Sequence, residues 1–127
     1  MNSRQKGARG ERELASKLRE YGYNARRGQQ YSGANGDADV VGLTGVHIEC
    51  KRVEHLNLYD AMSQSRHDAR ENEIPVVMHR KNDCEWLVTL RLSDFMRLYS
   101  EWSGTEGEDE KATEYKHIIS FIIKKFF

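Results

Sequence analysis

A chain of 127 residues with 31% charged side chains and zero formal net charge suits one domain with a single sizeable core, and its net charge does not announce a nucleic-acid partner. Its two cysteines, Cys50 and Cys84, are too few for a disulfide framework and stand in no CxxC or His/Cys cluster of the zinc type. No run reaches the ~18 apolar residues of a membrane span and residues 1–6 show no apolar leader, so the expected compartment is the reducing cytoplasm, with no membrane partner.

The pattern is helical over about residues 7–21, with Leu14, Ala15 and Leu18 as the apolar stripe and Gly22 just beyond the end. Continuing that stripe backward by three and four residues reaches Glu11, which puts a carboxylate on the inward face near the helix start. Glu11 either serves a site or complements the positive helix end, a task Glu13 could perform from the solvent side. Residues 23–27 read as a short strand and 28–36 as a polar, glycine-rich loop. The turn Gly42-Leu43-Thr44-Gly45 is short enough to fold residues 39–41 back on 46–51 as a hairpin. Leu58, Ala61, Met62, Ser65 and Ala69 keep helical spacing through about residue 71, and Pro75 opens a strand at 75–79 that precedes another at 86–90. Ser93 reads as the N-cap of a last helix whose stripe of Phe95, Leu98, Tyr99 and Trp102 is expected to be core rather than a base-stacking platform. The whole is expected to be one domain, 1–127, with its core at about 6–102, an acidic loop at 103–114 and an apolar segment at 115–127.

Charge is unevenly spread along this order. Residues 1–30 hold eight basic against three acidic side chains, a local +5, whereas 101–114 hold one against six, a local −5. A basic end beside a carboxylate site suits a phosphate backbone, because local field matters more than net charge for steering.

Alternation along the hairpin puts Glu49 and Lys51 on one face of their strand and Ile48 and Cys50 on the other, where Cys50 acts as a small core residue. Asp39 then lies nearly opposite Glu49, with Cβ atoms roughly 4.5–5.5 Å apart. Two carboxylates that close repel unless a cation sits between them, and hard divalent ions favour such oxygen sites. With Lys51 alongside to orient water or hold phosphate charge, the constellation reads as a metal-dependent phosphodiesterase. The competing reading is a solvated face of an antiparallel sheet.

Glu11, Asp39 and Glu49-x-Lys51, in that order, resemble the PD-(D/E)XK nuclease superfamily. Within it, Lys6-Gly7-Ala8-Arg9-Gly10-Glu11-Arg12-Glu13-Leu14, Gly22-Tyr23, Arg27, Ser32-Gly33, Asp39-Val40-Val41 and Ile48-Glu49-Cys50-Lys51 are similar to the motifs of archaeal-type, Hjc-like Holliday junction resolvases. The similarity covers roughly residues 6–80, whereas 57–64 look more like phage-encoded nucleases of the superfamily. The family's proline before the aspartate is Ala38 here, and Asp37 supplies a second carboxylate that competes with Asp39 for the role. Asp39 is preferred because Val40-Val41 follow it.

The resemblance implies an α/β, restriction-endonuclease-like fold: a mixed central sheet flanked by helices, the first helix packed over the site. It implies a catalytic set of Glu11, Asp39, Glu49 and Lys51. Mg²⁺, with Mn²⁺ as substitute, would be held by Asp39, Glu49, the main-chain carbonyl of Cys50 and, directly or through water, Glu11. Lys6, Arg9, Arg12, Arg27, Ser32 and Gln64 would contact DNA, although an exposed helix glutamine is an equally good reading of Gln64. The expected activity is structure-selective cleavage of four-way or other branched DNA. The alternatives are a nuclease of the same fold acting on duplex, flap or single-stranded DNA, and a non-catalytic nucleic-acid-binding domain. Symmetric cutting of a junction calls for two matched sites and hence a homodimer. The segment Ile118, Ile119, Phe121, Ile122, Ile123, Phe126 and Phe127 is either its interface or a last strand or helix covering the protomer's own sheet.

Overall fold

A computed structural model of the chain describes residues 2–29, 38–104, 119 and 122–125. The chain divides into two compact units, Met1–Leu90 and Arg91–Phe127.

The first unit opens with helix α1, Ser3–Glu20, a turn longer at its start than the apolar pattern suggests. Asn2 is the N-cap and exchanges hydrogen bonds with Gln5, a capping box that satisfies two donors at the helix end without any apolar residue. Glu11 therefore sits in mid-helix and does not complement the positive end. Strands β1 (Arg26–Arg27), β2 (Val40–Val41) and β3 (Val46–Arg52), helix α2 (Leu58–Asp68), then β4 (Ile74–Arg80) and β5 (Leu87–Leu90) follow. They form one mixed sheet in the order β1-β2-β3-β4-β5, antiparallel except for the β3–β4 pair. A parallel neighbour needs a crossover, and α2 supplies it.

Alternation along β3 and β4 divides the interior. Ile48, Cys50, Val76 and Met78 join Leu14 and Ala15 of α1 in the core, with Ala25 and Val40 beside them. The opposite face carries His47, Glu49 and Val77, against α2 with its buried Ala61 and Ser65. The Ser65 hydroxyl spans the parallel pair, within 3.2 Å of the His47 carbonyl and 2.9 Å of the Val76 carbonyl. Cys50 is buried, as its apolar side of the strand requires, and burial pushes its thiol well above the ordinary range.

Two glycines fix how closely these layers meet. A Cβ on Gly10 would lie 2.6 Å from the Arg52 Cβ, so α1 approaches β3 where it has no side chain. Glu13, expected on the solvent side, instead turns to β3 and β4, where the Arg52 Nε bonds both its oxygens and the Arg80 guanidinium pairs with it. Gly42 has φ +125°, and a Cβ there would lie 2.6 Å from the Asn24 carbonyl oxygen and 2.7 Å from the Ala25 Cα. Neither backbone atom can swing aside. Gly42→Ala is expected to destabilise the domain by about 2–4 kcal/mol, combining left-handed strain with overpacking, which denaturant melts would show as a lower midpoint at unchanged slope.

The second unit holds α3, Leu92–Ser103, ending at Gly104 with φ +71°. Its N-cap is Arg91, not Ser93, and Asp94, buried in the first turn, pairs with Arg91 at 2.9 Å and Arg97 at 3.5 Å. Phe95, Leu98, Tyr99 and Trp102 do share a row, with rings 6.3 and 5.8 Å apart, but they are 43–61% exposed. The expected core stripe is thus a surface row. Ile119 and residues 122–125 are helical, so the described part of the apolar segment is not a strand.

Candidate active site

The β2–β3 hairpin does to Asp39 and Glu49 what its alternation demands. Val40 pairs with Ile48, and the Asp39 N–H donates to the Ile48 carbonyl at 3.0 Å, so Asp39 stands opposite Glu49. The Asp39 Oδ2 accepts from the Cys50 N–H at 2.9 Å, and the two carboxyls are hydrogen-bonded to each other. Glu49 is only 8% exposed because α2 covers its face, which removes the solvated-sheet reading. Burial, then the neighbouring Asp39 charge, pushes Glu49 up to about 7, and burial likewise raises Asp39. The Lys51 Nζ, 3.7 Å from Glu49 Oε1, offsets part of this. Two buried carboxyls with one ammonium beside them form an oxygen-rich, under-compensated pocket that fits a hard divalent cation. Asp39 and Glu49 are the carboxylates that could hold it.

Glu11 faces this site from α1 but is differently engaged. Its Oε1 accepts from the Arg27 Nε at 3.0 Å, and its pKa is raised by burial despite that guanidinium. Among the described residues, the only trio of His, Cys, Asp and Glu side chains with ligating atoms within 4.8 Å of one another is His47, Glu49 and Asp68. Glu11 therefore does not complete such a trio with Asp39 and Glu49, and its neighbour is Arg27 because the β1 strand lies beside α1.

A cavity of about 670 Å³ opens at this point, lined by Arg4, Gly7, Ala8, Glu11, Arg27, Gly28, Gln29 and Asp39. It joins Asp39 to a basic helix face, so a phosphate chain has a route to the carboxylates. Arg4, which lies outside a helix read from apolar spacing alone, is on this face because α1 starts at Ser3. Lys6, Arg9 and Arg12 are exposed on α1 but do not line the cavity, although the Arg12 charge still acts on Glu11. Gln64 of α2 donates to Asp68 Oδ2 at 2.6 Å. Ser32 and Asp37 lie outside the described residues.

A family model for phage PDDEXK endonucleases matches residues 2–126. Among solved structures, the chain is similar to Hjc of Archaeoglobus fulgidus, a Holliday junction resolvase from an archaeal hyperthermophile. The two are 26% identical with a TM-score of 0.51, the match covering 67% of this chain and 72% of that one. No curated protein matches the chain. The mixed sheet with flanking helices is thus a restriction-endonuclease-like fold. No helix among the described residues is long and apolar enough to cross a membrane.

Proposed function

The chain belongs to the phage PDDEXK endonuclease family, and from that membership we propose that it hydrolyses phosphodiester bonds of branched DNA, four-way junctions above all, with Mg²⁺ as its ion. The observation that carries the reading is the buried Asp39–Glu49 pair with Lys51 beside it, opening toward a basic helix. The likeness to a Holliday junction resolvase supports the branched substrate.

Asp39, Glu49 and the Cys50 carbonyl would hold the ion, and Mn²⁺ would substitute. Bound there, it supplies a water of lowered pKa and neutralises charge growing on the scissile phosphate. Lys51 positions the attacking water or donates to a non-bridging oxygen. Glu11 holds Arg27 by their hydrogen bond and so aims the guanidinium at phosphate, with Arg4, Lys6, Arg9 and Arg12 along the helix adding positive field.

The test is a panel of four-way junction, flap, linear duplex and single strand sharing one sequence. Paired, symmetric nicks in the junction with the duplex untouched are expected. Equal cutting of duplex or flap would move the protein to general DNA cleavage, and binding without any cutting would make it a non-catalytic module.

Paired nicks call for two matched sites, and we assign the second unit as the dimer contact. Ile119, Ile122 and Ile123 are 42–51% exposed on a helical segment, and α3 exposes its row of Phe95, Leu98, Tyr99 and Trp102. Burying each such side chain is worth about 1.5–3 kcal/mol. Sedimentation should therefore show a dimer for the intact chain and a monomer after truncation at Glu114. A concentration-independent monomer that still resolves junctions would remove this interface.

A further inference from the structure

His47 is an oddity on the α2 side of the sheet. It is 4% exposed, yet among the described residues its ring makes no hydrogen bond; the Glu73 Oε1 lies 3.7 Å from its Nδ1, too far for one. A buried imidazole left without a hydrogen-bond partner is costly, and native interiors rarely tolerate it. What it faces is a carboxylate group on two elements. One ring nitrogen of His47 and one oxygen each of Glu49 and Asp68 lie within 4.8 Å of one another. Donors around a shared ion at ~2.0–2.2 Å stand ~3–4 Å apart, so closure needs shifts on the order of an ångström or less.

The supporting groups point the same way. Asp68, at the end of α2, accepts from Gln64 Nε2 at 2.6 Å through Oδ2 and lies 3.1 Å from His67 Nδ1 through Oδ1. These contacts orient the carboxylate as partners of a metal ligand do. The His67 contact, then Gln64, holds Asp68 below the usual carboxylate range, so it is ionised at neutral pH. A cavity of about 320 Å³, lined by the Gly42-Leu43-Thr44-Gly45 turn, His47, Asp68, Arg70, Asn72 and Glu73 among others, gives the spot an entry path and room for water ligands. Among the described residues it shares no lining with the Arg4–Asp39 cavity.

We propose that His47, Glu49 and Asp68 form a second cation site, distinct from the Asp39 side of Glu49, that takes a borderline divalent ion of the Zn²⁺ or Fe²⁺ class. The imidazole sets the class: nitrogen donors suit these ions, whereas Mg²⁺ favours an all-oxygen shell. An ion here ties the end of α2 to β3 and holds Glu49 ionised from behind, fixing the carboxylate that the Asp39 site also uses. The proposal does not depend on which DNA is cut.

The experiment titrates Zn²⁺ alone into the metal-free full chain and follows the side-chain nitrogens of the five histidines by NMR. Expected is a shift of the His47 ring nitrogens, complete near one added equivalent, with His79 unmoved. Asp68→Asn, on the helix surface and so safe for folding, should weaken Zn²⁺ binding at least ~10-fold in competition with a chromophoric chelator, circular dichroism showing the fold kept. Asp39→Asn should leave that binding within a few-fold, which separates this site from the cleavage site. The idea is overturned by a His47 signal that stays in place as Zn²⁺ saturates the protein, or by equal Zn²⁺ affinity in Asp68→Asn and wild type.

Discussion

Asp39→Asn should lower Mg²⁺-supported cleavage by at least ~10²-fold while making the metal-free protein more stable, and Glu49→Gln should do the same. The opposed effects share one cause. Asp39 and Glu49 are buried together; burial raises the pKa of both, and the Asp39 charge raises Glu49 further. An asparagine at position 39 still offers an oxygen to the Cys50 N–H, 2.9 Å away, but brings an amide donor to Glu49 in place of a charge. The gain should be about 1 kcal/mol in denaturant melts without metal. DNA binding should persist, since a negative charge near phosphate has been removed. Full cleavage by both variants in Mg²⁺ would end the assignment.

The pair also sets a pH dependence. Glu49 is raised from 4.5 to about 7 in the folded, metal-free chain, so the folded state binds its proton more tightly than the unfolded state. The stability this contributes is fully present below about 4.5 and is lost as pH rises through about 7. Added Mg²⁺ should consequently raise the melting temperature more above that window than below it, and its binding inside the window should release a proton. A Mg²⁺ effect on melting that is flat across the window would contradict the shared-proton picture.

What could be read from the sequence follows from how local each cause is. The Asp39–Glu49 juxtaposition was legible because a four-residue turn and period-two alternation fix it with no help from the rest of the chain. Arg4 was not, because a capping box made by Asn2 and Gln5 starts the helix through polar side chains, where apolar periodicity is silent. Glu11 faces inward as its helical spacing predicts, but its engagement with Arg27 depends on β1 pairing beside α1, a contact between residues 16 apart in the chain. His47 and Asp68 needed the crossover of α2 before they could meet. The α3 row shows the converse limit: periodicity tells which side chains share a face, not what that face meets, and here it stays exposed.

Lys51→Ala should reduce turnover by ~10²-fold or more with the fold intact, and the manner of the loss decides what the lysine does. Its Nζ lies 3.7 Å from Glu49 Oε1, and that charge holds the Glu49 pKa down against burial and Asp39. Removing it would therefore leave Glu49 protonated to higher pH and weaken metal binding even if Lys51 never touched substrate. That defect is curable: raising pH beyond the Glu49 titration and saturating with Mg²⁺ would restore the rate. A lysine that positions the attacking water or donates to the phosphate is not replaced by either treatment. The loss is expected to persist in turnover at saturating Mg²⁺ and alkaline pH, with the metal requirement shifted only modestly. Neighbouring Cys50 supplies the control, because its side chain lies in the core and only its main chain meets the site. Cys50→Ala should leave cleavage within a few-fold while lowering stability by about 1 kcal/mol, as a small buried group does when it is trimmed. Recovery of Lys51→Ala at high pH and high Mg²⁺ would reduce the lysine to a charge that keeps Glu49 ionised.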